Sequence, residues 1–408
     1  MNSAEIFTLA LGLDSPWHIS DVNFKIDNNN KELHLEISFD PGAQFKDDTG
    51  TLCPAYDSKQ KQWRHMNFFE HKTFINAKVP RIKTTQGKVK MIDVPWARKH
   101  SGFTLLFEAL AMSMIEKEMP VNKIAQLLGE DAHRFWTIFN HWINKAYQQD
   151  DPSTISKIGI DETSRRKGHN YISVAVDLDH NKVVHVVQGK DVQAVADIKD
   201  YLCEKGTDLA NITQASIDLS PAFISGIGTH FPNASITFDK FHVVKLLNQA
   251  MDEVRKKEYC EHKELKGHKY TFLKNRNNLS TKKQQALSEL IILLPTLGEA
   301  YRLKLLFNDL WDMPDKHSAK AFIEDWIQQA SHSKIQAFIK FGRTLMGHLS
   351  GIINFVETRI TNAILESINN KIQMAKRRAR GYRNIDNFIN MIYFLCGKLR
   401  FGYPLDSS

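Results

Sequence analysis

Apolar and polar residues alternate in several short stretches of the first hundred positions. Every second residue is apolar across 31–39, which is the period of a strand with one buried face. Residues 68–79 and 89–94 have a similar pattern, and a Gln-Gly pair between them favours a turn. The pattern predicts short strands and turns over residues 1–100.

The apolar spacing becomes helical beyond that point. Apolar residues recur at helical spacing in 103–118, in 121–128 and after Asp131, with a proline and a glycine between the segments. Asp131 is of a type that commonly caps a helix. A helix, a short helix, a glycine turn and another helix are typical of a helix-turn-helix, and also of an ordinary three-helix bundle. Pattern alone leaves both interpretations open for residues 101–150.

From residue 151 the pattern alternates between strands and helices. It predicts strands at 155–160, 171–178 and 183–187, a helix at 192–205, a strand at 213–217, a helix at 221–229, a strand at 235–238 and a helix at 241–257. Three strands in a meander, followed by helix, strand, helix, strand and helix, are the order of a ribonuclease-H-like α/β core. A charged pattern without strand character then predicts an α-helical insertion, and a long helix at 358–375 follows it.

Composition narrows the class of protein. The 408 residues are 42% hydrophobic and 25% charged, which is typical of a globular chain with several domains. No apolar run approaches the ~20 residues that span a bilayer, and the first residues lack a secretory signal, so we expect a cytoplasmic protein. Four scattered cysteines argue against a disulfide framework. The net charge of +8 is compatible with a polyanionic partner.

Three aspartates directly follow predicted strands: Asp161, Asp218 and Asp239. Because the carboxyl ends of parallel strands meet at one edge of a sheet, their carboxylates can converge. Carboxylates are the ligands that Mg²⁺ prefers, and two such ions promote in-line displacement at phosphorus. Aspartates also commonly start turns after strands. The spacing therefore leaves open a metal site and a set of ordinary turns.

Several sequence blocks carry a resemblance to a known family. They are PWAR at 95–98, SGFT at 101–104, IGIDE at 158–162, SIDLS at 216–220, FDKFHVV at 238–244, and RITNAILESINNKI at 359–372, which runs on into KRRARGYRN at 376–384. In these blocks and their order, the chain resembles the ISL3 family of bacterial insertion-sequence transposases over nearly its whole length. Such a protein is expected in the bacterial cytoplasm, associated with the nucleoid.

The resemblance implies a DDE-type transposase with a ribonuclease-H-like catalytic core. It maps the catalytic and metal-binding triad onto Asp161, Asp218 and Glu366, the last of which lies beyond the helical insertion. It implies DNA cleavage by water and then attack of the freed 3′-hydroxyl on target DNA, with Mg²⁺ or Mn²⁺, two ions in the active complex. The implied partners are the terminal inverted repeats of the element and target DNA, bound by at least a homodimer when two ends are paired.

Further residues are assigned supporting roles. Asp239 and His242 match another motif of the family; structural support is favoured for both, although Asp239 could support the metal site and His242 could contact DNA. Glu162 braces its strand or aids catalysis. Asn369, one helical turn from Glu366, positions phosphate or stiffens the site.

Basic residues are the candidates for DNA contact. One group follows the catalytic glutamate and is assigned to the DNA backbone, with a solvated helix face as the alternative: Lys371, Lys376, Arg377, Arg378 and Arg380. Two more, His133 and Arg134, lie near the start of the last helix of the helix-turn-helix, where base edges are normally contacted.

The family's amino-terminal domain resembles a zinc-binding finger with two Cys-x-x-Cys-like pairs. Here Cys53 retains one sulfur, Tyr56 occupies the second position, and Thr84 and Thr85 replace the other pair. Structural zinc needs four ligands, so zinc is doubtful. We predict a finger-like domain that relies on an apolar core of Trp63, Phe68, Phe69, Phe74 and Val79.

The predicted fold is a multidomain α+β chain. Its parts are a small β-rich, degenerate zinc-finger-like domain (1–100), a helix-turn-helix DNA-binding domain (101–150), the first part of a ribonuclease-H-like core (151–258), an α-helical insertion (259–350), and the last core helix with the catalytic glutamate and a basic tail (351–408). The principal alternative function is a non-catalytic DNA-binding relic or regulator, against which the complete triad argues. Another ribonuclease-H-like enzyme, such as a junction resolvase or an RNA nuclease, fits the front modules and the insertion less well.

Overall fold

The structure is a computed structural model that describes residues 2–27, 30–166, 168, 170–359 and 363–403. These residues contain eleven strands and fifteen α-helices, with a few short 3₁₀ turns. They form two compact units, one of Met1–Gln148 with Leu399–Ser408 and one of Gln149–Lys398. None of the helices in the described ranges has an apolar stretch of membrane-spanning length.

The first unit begins with a helix and a sheet and continues with three helices. Its elements are α1 (Ser3–Ala10), β1 (Trp17–Asp27), β2 (Asn30–Phe39), β3 (Gln44–Lys46), β4 (Leu52–Phe68), β5 (His71–Lys83), β6 (Val89–Met91), α2 (Leu105–Glu116), α3 (Val121–Leu128) and α4 (Ala132–Gln149). The strand order is β1-β2-β5-β4-β3, and β6 pairs with β5.

The core of this sheet follows from the alternation of apolar residues. Leu33, Leu35 and Ile37 on β2 are buried, and β5 pairs with β2 in parallel and buries Ile75 and Ala77 beside them. The predicted strand at 31–39 is confirmed. A six-stranded sheet with its own apolar core is larger than the finger-like fold that the sequence predicts.

The chain reverses near the start of the predicted strand at 68–79. β4 ends at Phe68 and β5 begins at His71. Between them Phe69 has φ of 51°, in the left-handed region used by tight turns. The predicted strand is confirmed from His71 onward, but its start is wrong, because no glycine or proline marks the tip of the hairpin.

The hairpin tip also changes the predicted core. Trp63 and Val79 are buried and Phe74 is half-buried. Phe68 and Phe69 are 37% and 84% exposed, so the prediction is wrong for these two. Their position at the turn keeps both rings outside the sheet.

One buried carboxylate joins α2 and α4. Glu108 on α2 is fully buried and accepts hydrogen bonds from Arg98 Nε (2.9 Å), Ser101 Oγ (2.6 Å) and Trp142 Nε1 (2.9 Å). A buried carboxylate is stable only with such partners. The residues before α2 therefore fix it to α4. The predicted cap at Asp131 is confirmed, since its Oδ1 accepts from the backbone N of His133 at 2.8 Å.

The second unit alternates strands and helices and then becomes helical. Its elements are β7 (Lys157–Arg166), β8 (Asn170–Asp177), β9 (Lys182–Gln188), α5 (Val192–Glu204), β10 (Gln214–Ile217), α6 (Pro221–His230), β11 (Ser235–Phe238), α7 (Lys240–Glu261), α8 (Lys269–Leu273), α9 (Thr281–Leu293), α10 (Pro295–Phe307), α11 (Lys316–His332), α12 (Gln336–Gly347), α13 (Leu349–Thr358), α14 (Ala363–Arg378) and α15 (Ile385–Cys396). The predicted order of strands and helices from β7 to α7 is confirmed.

The sheet of the second unit is mixed, with strand order β11-β10-β7-β8-β9. β7, β10 and β11 are parallel, and β7, β8 and β9 are antiparallel. The prediction that the first strand ends before Asp161 is wrong. Parallel pairing with β10 stops at Ile160, but antiparallel pairing with β8 continues to Arg166, so β7 passes through the aspartate.

The return from the helical insertion differs from the predicted continuous helix at 358–375. α13 ends at Thr358, and Arg359 has φ of 50°, which terminates the helix. α14 begins at Ala363, and residues 360–362 lie outside the described ranges. The prediction of one helix is therefore wrong at its start. α13 packs on β11 so closely that a Cβ on Gly351 would overlap the ring of Phe238.

Candidate active site

Three aspartates emerge together from the parallel part of the mixed sheet. Ile217 on β10 pairs with Ile160 on β7 and with Phe238 on β11. The next residue of each strand is an aspartate: Asp161, Asp218 and Asp239. Neighbouring strands lie about 4.8 Å apart, so the register brings the three carboxylates to one edge of the sheet.

Two hydrogen bonds fix the carboxylate of Asp161. Its Oδ2 accepts a hydrogen bond from Asn369 Nδ2 at 2.6 Å, and its Oδ1 accepts from the backbone N of Glu162 at 2.8 Å. Burial, together with the charges of Asp218 and Asp239, raises the pKa of Asp161 to about 6, against the hydrogen bond from Glu162 and the charge of His242. The site therefore disfavours a negative charge at Asp161 unless a cation compensates it.

Asp239 and His242 form a carboxylate–histidine pair at the start of α7. Asp239 Oδ1 accepts from the backbone N of Phe241 at 3.0 Å, and Oδ2 lies 3.1 Å from His242 Nδ1. The hydrogen bond with Asp239 raises the pKa of His242, and the charges of Asp218 and Asp161 act in the same direction. The imidazole thus faces the three carboxylates.

Helix α14 is fixed along β7 by three polar side chains of one helix face. Asn369 bonds to Asp161, Gln373 Nε2 donates to Thr163 Oγ1 at 2.7 Å, and Lys376 Nζ donates to the backbone O of Ser164 at 2.6 Å. Residues at spacings of three and four share a helix face, so these bonds align the helix with the strand. Beneath them, Leu365 lies against Gly159, where a Cβ would come within 3.1 Å of its methyl groups.

Glu366 lies in the first turn of α14 and is exposed. It is one helical turn before Asn369 and on the same side of the helix. In the part of the chain that the structure describes, no three His, Cys, Asp or Glu side chains are close enough together to hold a metal ion. The strand register and the mutual charges place Asp161, Asp218, Asp239 and His242 near one another, and Glu366 lies on the helix that Asn369 fixes to Asp161.

The other supporting and basic residues lie on β7, on α14 and in the turn after it. Glu162 forms an ion pair with Lys190 (3.2 Å), and Lys376 is bound to β7. The remaining basic residues of this group are exposed, with Lys371 in the middle of α14, Arg377 and Arg378 in its last turn, and Arg380 in the turn after it. Cations in the last turn also stabilise a helix, so their position fits both alternatives of the sequence analysis.

The two candidate base-contacting residues of α4 have different surroundings. His133 is exposed. The guanidinium of Arg134 lies 4.1 Å from the centroid of the Phe103 ring and forms an ion pair with Glu130, one turn earlier. Arg134 therefore already has partners within its own unit, whereas His133 is presented to solvent.

Thr85, which the resemblance places at a cysteine position of the family, is bound by an aspartate of the loop between β3 and β4. Asp47 accepts hydrogen bonds from the backbone N of Thr49 (2.9 Å) and Thr51 (3.1 Å), and from Thr85 Oγ1 (3.2 Å). The hydrogen bond from Thr49 is the largest of several that lower the pKa of Asp47. Cys53 is buried on β4. This carboxylate links the two loops, a role that the sequence analysis missed although Asp-Asp-Thr-Gly-Thr is a turn signal.

Two family models match the chain. One, described as a transposase and built on DDE transposases of the ISL3 family, covers residues 158–392. The other, described as the helix-turn-helix domain of transposase family ISL3, covers residues 92–143. The first alone spans more than half of the chain. The protein belongs to the ISL3 family of transposases.

Curated transposases are similar along almost the whole of this ISL3-family chain. The transposase for insertion sequence element IS1557 of Mycobacterium tuberculosis is 23% identical, with 94% of this chain and 93% of the relative covered. The transposase for insertion sequence element IS1001 of Bordetella parapertussis is 26% identical, with 91% and 92% covered. The resemblance stated from the sequence is confirmed.

Family membership decides between the helix-turn-helix and the ordinary three-helix bundle, which the helical pattern left open for residues 101–150. The three helices of the first unit are a helix-turn-helix domain, which binds DNA in a transposase of this family. DDE transposases use divalent metal ions.

Gln373, which fixes α14 to Thr163, was missed by the sequence analysis. The signal was present, since Gln373 is four residues after Asn369 and shares its helix face.

Proposed function

We propose that the chain is an active DDE transposase that binds the ends of an insertion sequence, cleaves DNA with divalent metal and joins the freed 3′-hydroxyl to target DNA. The observation that carries the proposal is the alignment of α14 with β7. Through the bond between Asn369 and Asp161, the helix that holds Glu366 is tied to the strand that holds the first aspartate. A ribonuclease-H-like core is the architecture that this proposal requires, and the strand order is in keeping with it.

The side chains of the proposed triad suit a hard divalent cation. Asp161, Asp218 and Glu366 offer only carboxylate oxygen, the ligand type that Mg²⁺ and Mn²⁺ prefer. The burial and neighbouring charges that raise the pKa of Asp161 would be offset by a bound cation. Two bound ions would activate the attacking oxygen and stabilise the leaving one.

The neighbouring residues act by orienting this set. Asn369 donates to Asp161 Oδ2 and the backbone N of Glu162 donates to Oδ1, so both oxygens are oriented and each keeps a further lone pair for a metal ion. Asp239 is engaged with the start of α7 and with His242, so it supports the site and is not counted as a ligand. Glu162, paired with Lys190, braces β7 beside Asp161.

DNA recognition is divided between two groups of residues in this proposal. The helix-turn-helix, with His133 and Arg134 at the start of α4, binds the terminal inverted repeats. Lys371, Arg377, Arg378 and Arg380 hold the DNA backbone beside the chemistry, and Lys376 contributes by fixing α14. Pairing of two element ends calls for at least a dimer on DNA.

The test is strand cleavage of labelled DNA that carries the cognate element ends, with Mg²⁺ or Mn²⁺. We expect nicking at the element tip by the wild type, and loss of nicking with retained DNA binding in Glu366→Gln. Glu289→Gln, which changes an exposed glutamate of α9, is the matched control and should cleave normally. Binding without cleavage by the wild type would overturn the proposal and leave a DNA-binding relic of a transposase.

A further inference from the structure

An exposed aromatic side chain stands at the entrance to the carboxylate site. Phe241, in the first turn of α7, is 65% exposed. Its ring lies edge-on to the ring of His242, with centroids 5.8 Å apart, and His242 is paired with Asp239. A contiguous set of contacts therefore joins this phenylalanine to the proposed site of phosphoryl transfer.

Phe241 also begins a groove that runs along α7 and is walled by α8. The groove has a volume of about 520 Å³. Its lining follows one face of α7 from Phe241 to Lys256, which at 1.5 Å per residue is a length of about 22 Å. A groove of this length, starting beside the carboxylates, has room for a few nucleotides of one strand.

The polar lining of this α7 groove suits a nucleic-acid strand. Lys245, one turn after Phe241, is exposed and forms no ion pair with the described residues. Farther along, one carboxylate, Asp252, is shared by Arg255 and Lys256 and approached by Lys269 at 4.0 Å. The lining of the groove as a whole has a small basic excess of the kind expected for a surface that follows phosphates, with three cations against two carboxylates: Lys245, Lys256 and Lys269 against Asp252 and Glu253.

Asn248 adds a group able to bind a base edge. It lines the α7 groove, and its Oδ1 is buried without a hydrogen-bond partner among the described residues. A buried polar atom without a partner is costly, and a rotation of this amide toward a ligand would break no bond of Oδ1. Amide side chains form paired hydrogen bonds with bases.

We propose that Phe241 stacks on an unpaired base of the element DNA next to the scissile phosphate, and that the α7 groove holds the strand flanking that base. This inference rests on the proposed function. Enzymes that act on a nucleotide within a duplex commonly extrude it and stack it on an apolar side chain. Stacking is indifferent to base identity, so Phe241 would locate the cleavage point while the helix-turn-helix supplies the sequence preference.

The experiment uses the full-length protein and element-end duplexes with the fluorescent base 2-aminopurine near the cleavage point. With Ca²⁺ in place of Mg²⁺, we expect wild type to change the emission at one position, Phe241→Ala to lose at least half of that change, and Phe241→Trp to retain it. With Mg²⁺, cleavage by Phe241→Ala should fall about tenfold or more. Ile292→Ala removes an exposed apolar side chain of α9 and should match wild type in both assays.

A mismatched substrate separates stacking from a structural effect. When the base pair at the responsive position is already mismatched, unpairing costs less, so the defect of Phe241→Ala should shrink. An equal defect on matched and mismatched DNA, or wild-type emission and cleavage by Phe241→Ala, would overturn the inference and leave the proposed function intact. If wild type itself cuts no element end, the proposed function and this inference fail together.

Discussion

At the scale of single residues, the surroundings of Asp161 show how a carboxylate is held at a site that disfavours its charge. Asn369 and the backbone N of Glu162 each donate a hydrogen bond to it, while burial and two neighbouring aspartates raise its pKa to about 6. The donors fix its orientation, and they only partly offset the cost of ionisation. A metal ligand must be both oriented and ionised, so the side chain that orients Asp161 should control metal use.

We therefore expect Asn369→Ala to need a higher Mg²⁺ concentration for strand cleavage than the wild type. Loss of a hydrogen bond to a charged group costs about 1.5–3 kcal/mol, which corresponds to roughly 10- to 150-fold. The measurement is a Mg²⁺ titration of cleavage at saturating DNA. Asn370→Ala changes the adjacent, exposed asparagine and serves as the control. Equal Mg²⁺ requirements in the two variants would contradict a positioning role for Asn369.

Some residues of the site could be predicted from the sequence, and some of their contacts could not. The motif blocks identified Asp161, Asp218 and Glu366 as candidates, and the positions of Asp218 and Asp239 after predicted strands indicated that their carboxylates could converge with that of Asp161. The ion pair of Arg134 with Glu130 and its stacking on Phe103 were not predictable. A sequence pattern names residue types at intervals, whereas such pairings depend on side-chain rotamers and on neighbours brought together by tertiary packing.

At the scale of elements, the two helices that flank the insertion, α7 and α13, both meet β11. α7 begins directly after Phe238, and α13 returns to pack on that residue through Gly351. Because the helix and strand approach so closely, only a residue without a side chain fits at position 351. This contact fixes the end of β11, from which Asp239 follows.

We expect Gly351→Ala to destabilise the protein by about 1–3 kcal/mol, the usual cost of overpacking a core. The sign of the change in the free energy of unfolding tests the close packing, because alanine in a helix interior is otherwise favoured over glycine by about 1 kcal/mol. Gly347→Ala is the matched control, since a Cβ there meets no atom within 4 Å. Urea denaturation of both variants makes the comparison, and a stabilising Gly351→Ala would refute the close-packing argument.

Elements were predicted best where local signals are strong. Every helix and strand from β7 to α7 was predicted in order, because glycine, proline and aspartate punctuate regular apolar patterns there. The hairpin tip at Phe69 and the break after Thr358 were missed. In both places a residue other than glycine takes a positive φ, and the surrounding fold, rather than local propensity, imposes that conformation.

At the scale of the whole molecule, each compact unit contains a histidine whose surroundings strongly disfavour its protonation. Burial lowers the pKa of His65 in the first unit to about 4, and the charge of Arg64 adds to the shift. Burial lowers the pKa of His185 in the second unit to about 4 as well. Because the unfolded chain binds these protons more tightly, stability that is complete above pH 6.5 is lost as pH falls toward 4. Asp161 contributes with the opposite sign, since its raised pKa makes ionisation costly at higher pH.

We expect the free energy of unfolding of wild type to fall between pH 7 and pH 4.5, and His65→Gln to fall less. One histidine contributes up to about 1.4 kcal/mol per pH unit in this window, so the variant should retain roughly 2 kcal/mol that wild type loses. Denaturation curves at several pH values measure this difference. His317→Gln, an exposed histidine of α11, should follow the wild-type profile, and an identical profile for His65→Gln would count against the assignment.

The insertion between α7 and α13 has a consequence for how the length of the chain can vary. The insertion follows the helix that begins after β11, and it ends at a helix that packs on the same strand. For the core it is therefore equivalent to a loop whose two ends are held together. The entropy of closing a loop grows with the logarithm of its length, and doubling the length costs only about 0.6 kcal/mol. Helices can therefore be gained or lost between Glu261 and Leu349 with little thermodynamic penalty, provided that the segment keeps an apolar core of its own. The spacing between the second aspartate and the glutamate of the triad should accordingly be the most variable dimension among ISL3 transposases.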